Sequence, residues 1–163
     1  MDWKIYNDNF NQLIRDLFHG KEWNTRAKAA KQLGFLKDNR SINLMCRAIK
    51  SEKNEIVILN IIEAMGRIRD GRATLDILNR LKDEIEKEKF NKKMVLTIIE
   101  ALARIKDKRA LPYLSHFLDN EDYLVKKTTE MAFDSIEPRW REIIEKEQKK
   151  KTPEEIFKSR ISI

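Results

Sequence analysis

The chain copies itself, and the copying restricts its folds more than any other feature. The segments QLGFLKDNRSI (32–42), AMGRIRDGRAT (64–74) and ALARIKDKRAL (101–111) superpose at offsets of 32 and 37 residues, and a weaker copy, AFDSIEP (132–138), follows 31 residues later. A period of this length marks stacked supersecondary units, because one helical hairpin cannot bury its apolar face alone. A charged fraction of 37% with only four glycines and three prolines favours helix over sheet.

Within each copy the apolar spacing is helical on both sides of an Asp-x-Arg turn. Ala30, Leu33 and Leu36, then Ile61, Ala64, Met65 and Ile68, then Ile98, Ala101, Leu102 and Ile105 each draw one stripe, the A helices. Ile42, Met45 and Ile49, then Ile77 and Leu81, then Leu111, Leu114 and Leu118 draw a second, the B helices. Asp38, Asp70 and Asp107 stand where a carboxylate can accept backbone N–H groups at the start of each B helix, as turn caps. Gly34 and Gly66 fall where a missing side chain lets neighbouring helices approach, with Ala103 nearly as small and Asp134 in the fourth copy.

TRAKAAKQLGFLKDNRS and its echoes at 65–73 and 102–110 resemble the HEAT-like repeats of the phycobilisome-lyase type. The resemblance covers roughly residues 13–137. In that family a hydrophobe and a basic residue open the A helix and Asp-x-Arg begins the B helix. Thr25 and Arg26 fill the opening pair in copy one and Val125 and Lys126 in copy four, whereas Val57–Ile58 and Met94–Val95 depart from it. The resemblance implies an all-α superhelix, a short solenoid of about four helical hairpins with capping helices. The related repeat hydroxylases hold iron with His-Glu pairs, and no such dipeptide occurs here. Nothing in these residues singles out a bilin pocket.

The ends complete the array. Trp3, Tyr6, Phe10, Leu13, Ile14, Leu17 and Phe18 make an amphipathic helix, stopped at Gly20, that resembles a B helix without its partner. Pro138 opens a last B helix with Trp140, Ile143 and Ile144 inward, and EKEQKKK reads as its solvated end. Residues 1–151 thus form the solenoid. TPEEIFKSRISI, residues 152–163, is a capping or docking tail: Thr152 and Glu155 form a capping box, and Ile156, Phe157 and Ile161 fold back on the last repeat or dock on another subunit.

Chemistry finds little purchase. With His19 and His116 as the only histidines and Cys46 as the only cysteine, no metal cluster is expected, nor any cofactor or catalytic residue; Cys46 reads as core. The glycines are dispersed rather than gathered in a phosphate-binding loop. No run of apolar residues is long enough for a membrane span, and MDWKIYNDNFNQ does not read as a secretory signal, so a cytoplasmic location is the default.

If Met45, Ile77 and Leu114 point inward, the neighbouring columns Leu44, Asp76, Tyr113 and Arg47, Asn79, His116, flanked by Arg80, line an exposed B face. Solenoids bind through extended concave surfaces, and aromatic and arginine anchors dominate interfaces, so these residues are the candidate partner-binding set. Charge supplies the rival. Residues 21–50 carry +6 of the net +7. Lys21, Lys28, Lys31, Lys37 and Lys50 form an alternative basic patch that can attract a phosphate backbone. The spacing between copies two and three is five residues longer, and helical periodicity through RLKDEIEKEKFNKK predicts a long, projecting B helix there, with Asp83–Lys87 and Lys82–Glu86 pairs. The expectation is a non-enzymatic protein-binding scaffold or adaptor, with a nucleic-acid-associated module as the alternative and self-association open.

Overall fold

The structure, a computed structural model, describes residues 3–147 and 151–161. Among the described residues it has no strand and ten α-helices: α1 (Trp3–His19), α2 (Trp23–Leu36), α3 (Ile42–Ser51), α4 (Glu55–Ile68), α5 (Thr74–Ile85), α6 (Lys92–Ile105), α7 (Leu111–Leu114), α8 (Tyr123–Ile136), α9 (Trp140–Glu147) and α10 (Pro153–Ile161). The A helices α2, α4, α6 and α8, each of 14 residues, stack in sequence. The B helices α3, α5 and α7 form a second layer, with α7 prolonged by the 3₁₀ turn Ser115–Phe117.

The stripes meet between the layers. Leu33, Ile61, Met65, Ile98 and Leu102 from the A layer and Ile42, Met45, Ile77, Leu81 and Leu114 from the B layer are wholly buried. Two glycines set how closely the A helices stack. A Cβ added at Gly34 would lie 2.7 Å from the Ala64 Cα, and one at Gly66 2.7 Å from the Ala101 Cα. Between α6 and α8 a hydroxyl replaces this contact, Ser135 Oγ donating to the Ala103 carbonyl at 3.1 Å.

Each of the first three A helices ends on a left-handed residue that is not glycine: Lys37, Arg69 and Lys106, at φ 51°, 63° and 62°. That conformation costs an L-residue about 1 kcal/mol. The fold offsets it by turning the chain sharply into Asp-x-Arg and by setting a cation at a helix C-terminus, where the dipole favours it. The other ends of the hairpins are capped by side chains, Asn54 for α4, Asn91 for α6 and Asp122 for α8.

Helix α1 packs on α2 and runs alongside α3. Its first turns meet the Asp38 turn through Tyr6, whose hydroxyl donates to Asp38 Oδ2 at 3.1 Å, and its last turn meets Arg47 through Phe18. Gly20 follows its end without a left-handed backbone; a Cβ there would lie 2.5 Å from the Asp16 carbonyl, so the requirement is one of space.

The projecting helix does not form. Helix α5 ends at Ile85, and the extra residues make a loop, 86–91, that folds back. Glu84 explains why. Its carboxylate is buried and accepts the Asn91 N–H at 2.6 Å and Lys87 Nζ at 2.6 Å, which draws the chain home before another helical turn can form. Phe90 then meets Phe117 edge to face, 5.8 Å between ring centroids. The ion pairs that form here are Glu84–Lys87 and Arg80–Asp83.

At the far end Trp140 is buried on Phe133 and its Nε1 donates to Asp134 at 2.8 Å, while Ile143 and Ile144 are half-buried. The helix lying against α7 is α10, not α9. Its capping box is made, with Thr152 N–H donating to Glu155 Oε2 at 2.8 Å and Glu155 N–H to Thr152 Oγ1 at 3.3 Å. Ile156 and Phe157 are buried in the same chain, Phe157 edge-on to Phe133. Within EKEQKKK, residues 148–150 lie outside the described residues.

Candidate functional site

The Asp-x-Arg turns build a ladder along one edge of the B layer. In each, the aspartate Oδ1 accepts the backbone N–H of the arginine two residues on: Asp38 from Arg40 at 2.9 Å, Asp70 from Arg72 at 2.9 Å and Asp107 from Arg109 at 3.0 Å. The same carboxylate grips the arginine guanidinium, which reaches back one repeat. Arg72 Nη2 donates to the Asn39 carbonyl at 3.0 Å, Arg109 Nη2 to the Gly71 carbonyl at 3.1 Å, and Arg40 Nη1 to Asn7 Oδ1 at 2.9 Å. The guanidinium of Arg40 holds the Asp38 carboxyl below the usual range, and that of Arg72 does the same for Asp70. For Asp107 burial pushes the other way, and the hydrogen bonds from Arg109 outweigh it.

Above this edge lies the B face. Arg47 is exposed, its guanidinium 5.9 Å from the centre of the Phe18 ring, and Leu44 is half-buried beside it. Asp76 is mostly covered and pairs with Lys50 at 2.9 Å. Asn79 is exposed, and Arg80 is half-buried and donates to the Ile49 carbonyl. Tyr113 is half-buried, with the Lys82 ammonium 5.0 Å from its ring centre. His116 is less available than the column pattern implies, because its Nε2 lies 3.2 Å from Glu154 Oε2 of α10. The face is therefore continuous over α3 and α5 and partly occupied by α10 at α7.

The five lysines of the alternative patch are all exposed but do not converge. Lys21 precedes α2 and Lys37 follows it, and a 14-residue helix separates its ends by about 20 Å. Lys50 belongs to the B layer and is neutralised by Asp76. Nearby, Arg26 is clamped by Glu52 at 2.7 Å and 3.1 Å and donates to the Gly20 and Lys21 carbonyls, so it is structural. Lys28 and Lys31 remain as a short exposed pair on α2.

Cys46 is buried, its Sγ 3.9 Å from the Arg72 carbonyl. Burial, helped by Asp76, pushes its thiol up to about 12, so it carries negligible thiolate at neutral pH. Two B-face features escaped the column argument, Lys82 and the exposed Leu75. Aligning each B helix over its whole length would have found both.

Two family models match parts of this chain. Residues 11–88 match the family described as HEAT repeats, and residues 96–120 match the PBS lyase HEAT-like repeat. The chain is an all-α HEAT-repeat superhelix. No curated protein matches it. Among the described residues no helix is long and apolar enough to cross a membrane.

Proposed function

We propose that the chain is a non-enzymatic scaffold that holds another protein on its B-helix face. The observation supporting this is the composition of that face across successive repeats: exposed Arg47 and Asn79 beside half-buried Leu44, Arg80 and Tyr113. Arginine and tyrosine over apolar neighbours are the groups that carry interface energy, and a stack of repeats presents them on one extended surface. Half-burial fixes their rotamers beforehand, which lowers the entropy lost on binding.

The competing reading is a nucleic acid held through its phosphates by Lys28, Lys31 and Lys37, motivated by the +6 carried within residues 21–50. Affinity capture from native lysate, with and without nuclease, separates the two when run on paired variants. A protein retained after nuclease by the wild type and by Lys28→Glu/Lys31→Glu, and lost with Arg47→Glu/Tyr113→Ala, is the expected result. Loss of all bound material with nuclease, or loss confined to the lysine variant, contradicts the scaffold reading.

A further inference from the structure

The repeats are not equivalent where α5 faces α7, and the difference leaves a charge without its counterpart. Between the first and second repeats Lys50 is neutralised by Asp76 at 2.9 Å. One repeat along, the position of Lys50 is held by Lys82, but the position of Asp76 is held by Tyr113. The ammonium of Lys82 accordingly sits 5.0 Å from the centre of the Tyr113 ring, and among the described residues no carboxylate lies within ion-pairing distance of it. A ring quadrupole is a weak substitute for a carboxylate at an exposed position.

The same repeat step opens a groove of about 330 Å³ between α5, α7 and α10. Its floor is Leu75, Pro112 and Tyr113, and Arg109 and Lys158 stand at its rim. Leu75 and Pro112 are equivalent positions in adjacent repeats, where the first repeat has the polar Asn43, so the apolar floor exists only here. Leu75 is 57% exposed, and among the described residues it is the one large apolar side chain of α3, α5 or α7 left so open. An apolar floor open at Leu75, half-buried at Tyr113 and closed beneath by buried Pro112, beside a cation without an ion-pair partner, is complementary to a segment that is apolar and acidic at once.

We propose that this groove receives an acidic amphipathic peptide segment of a partner protein, seating a bulky apolar side chain on Leu75, Pro112 and Tyr113 and a carboxylate on Lys82. This rests on the scaffold reading and specifies where on the B face recognition is anchored and what chemistry it selects. The carboxylate takes in the second repeat the part that Asp76 plays in the first.

A displayed library of random twelve-residue peptides, selected on the full chain and then measured against purified variants, tests it. The expected peptides pair a large apolar residue with Asp or Glu. They bind the wild type about tenfold more tightly than either Leu75→Glu or Lys82→Glu, and weaken with added salt. Circular dichroism melts confirm that both variants fold; Lys82→Glu, at an exposed position, keeps the test open if Leu75→Glu does not. Peptides that bind wild type and both variants alike, peptides enriched in Lys and Arg, or no enrichment overturn the groove. Peptides lost with Arg47→Glu but indifferent to Leu75 and Lys82 overturn the groove while leaving the scaffold reading standing.

Discussion

Single residues set the tolerances of the stack. Gly66 lies inside α4, where alanine would gain about 1 kcal/mol of helix propensity. Its missing Cβ is nevertheless the space occupied by the Ala101 backbone of α6, and overpacking of this kind costs about 1–3 kcal/mol. Gly66→Ala is therefore predicted to lower stability in urea unfolding, and Gly34→Ala likewise; a gain at either position contradicts the close-approach account. The turn aspartates act through charge and through capping, which substitution can separate. Asp70 has a depressed pKa in the folded state because Arg72 grips it. Its electrostatic contribution is thus present above the unfolded aspartate value of about 4 and is lost as pH falls through the lower folded value. Asp70→Asn keeps an acceptor for the Arg72 N–H, so it is predicted to flatten the loss of stability in that acid window. Asp70→Ala also removes the cap, with a pH-independent loss of about 1 kcal/mol. Unfolding curves from pH 2 to pH 7 check both.

Elements are placed by their apolar spacing and redirected by a few polar contacts. The A and B helices were legible because every stripe residue from Leu33 to Leu114 follows a helical period that burial rewards. Loop 86–91 was not, because helical spacing persists through Leu78, Leu81 and Ile85 and nothing local announces that Glu84 will be buried and accept the Asn91 amide. Glu84→Ala is predicted to destabilise by about 1–3 kcal/mol, the range for leaving a buried donor unpaired, and to raise hydrogen exchange in residues 86–91 first. Unchanged exchange there would show that Phe90 alone holds the loop. The left-handed ends of the A helices were equally hidden, since Lys37, Arg69 and Lys106 carry none of the glycine or asparagine signal by which such turns are read. The tail was legible as a helix from its capping box, but its destination depends on the depth of a site beside Phe133. Phe157→Ala is predicted to cost about 3–5 kcal/mol, the usual range for truncating a buried phenylalanine, and to open α10 before the stack. Exchange that rises across the whole chain together would contradict a separately docked helix.

At the scale of the molecule, one stacking step is used three ways. Small residues let the A helices close up, the Asp-x-Arg turns tie each repeat to the one before, and the B face accumulates side chains that neither contact consumes. How much of that face could be read in advance follows from the same division. Met45, Ile77 and Leu114 are wholly buried, and beside them Arg47, Asn79 and His116 are exposed while Leu44, Asp76 and Tyr113 are half-buried. Two facts could not be reached by counting columns: the contact that α10 makes with His116 through Glu154, and the seat of the Lys82 ammonium against the Tyr113 ring. The most direct measurement is hydrogen exchange by mass spectrometry on the full chain with and without its captured partner protein. The account predicts protection concentrated on the B layer, in residues 44–50, 75–83 and 109–116, with the solvent face of α2 unchanged. Protection confined to residues 27–35, around Lys28 and Lys31, would contradict it.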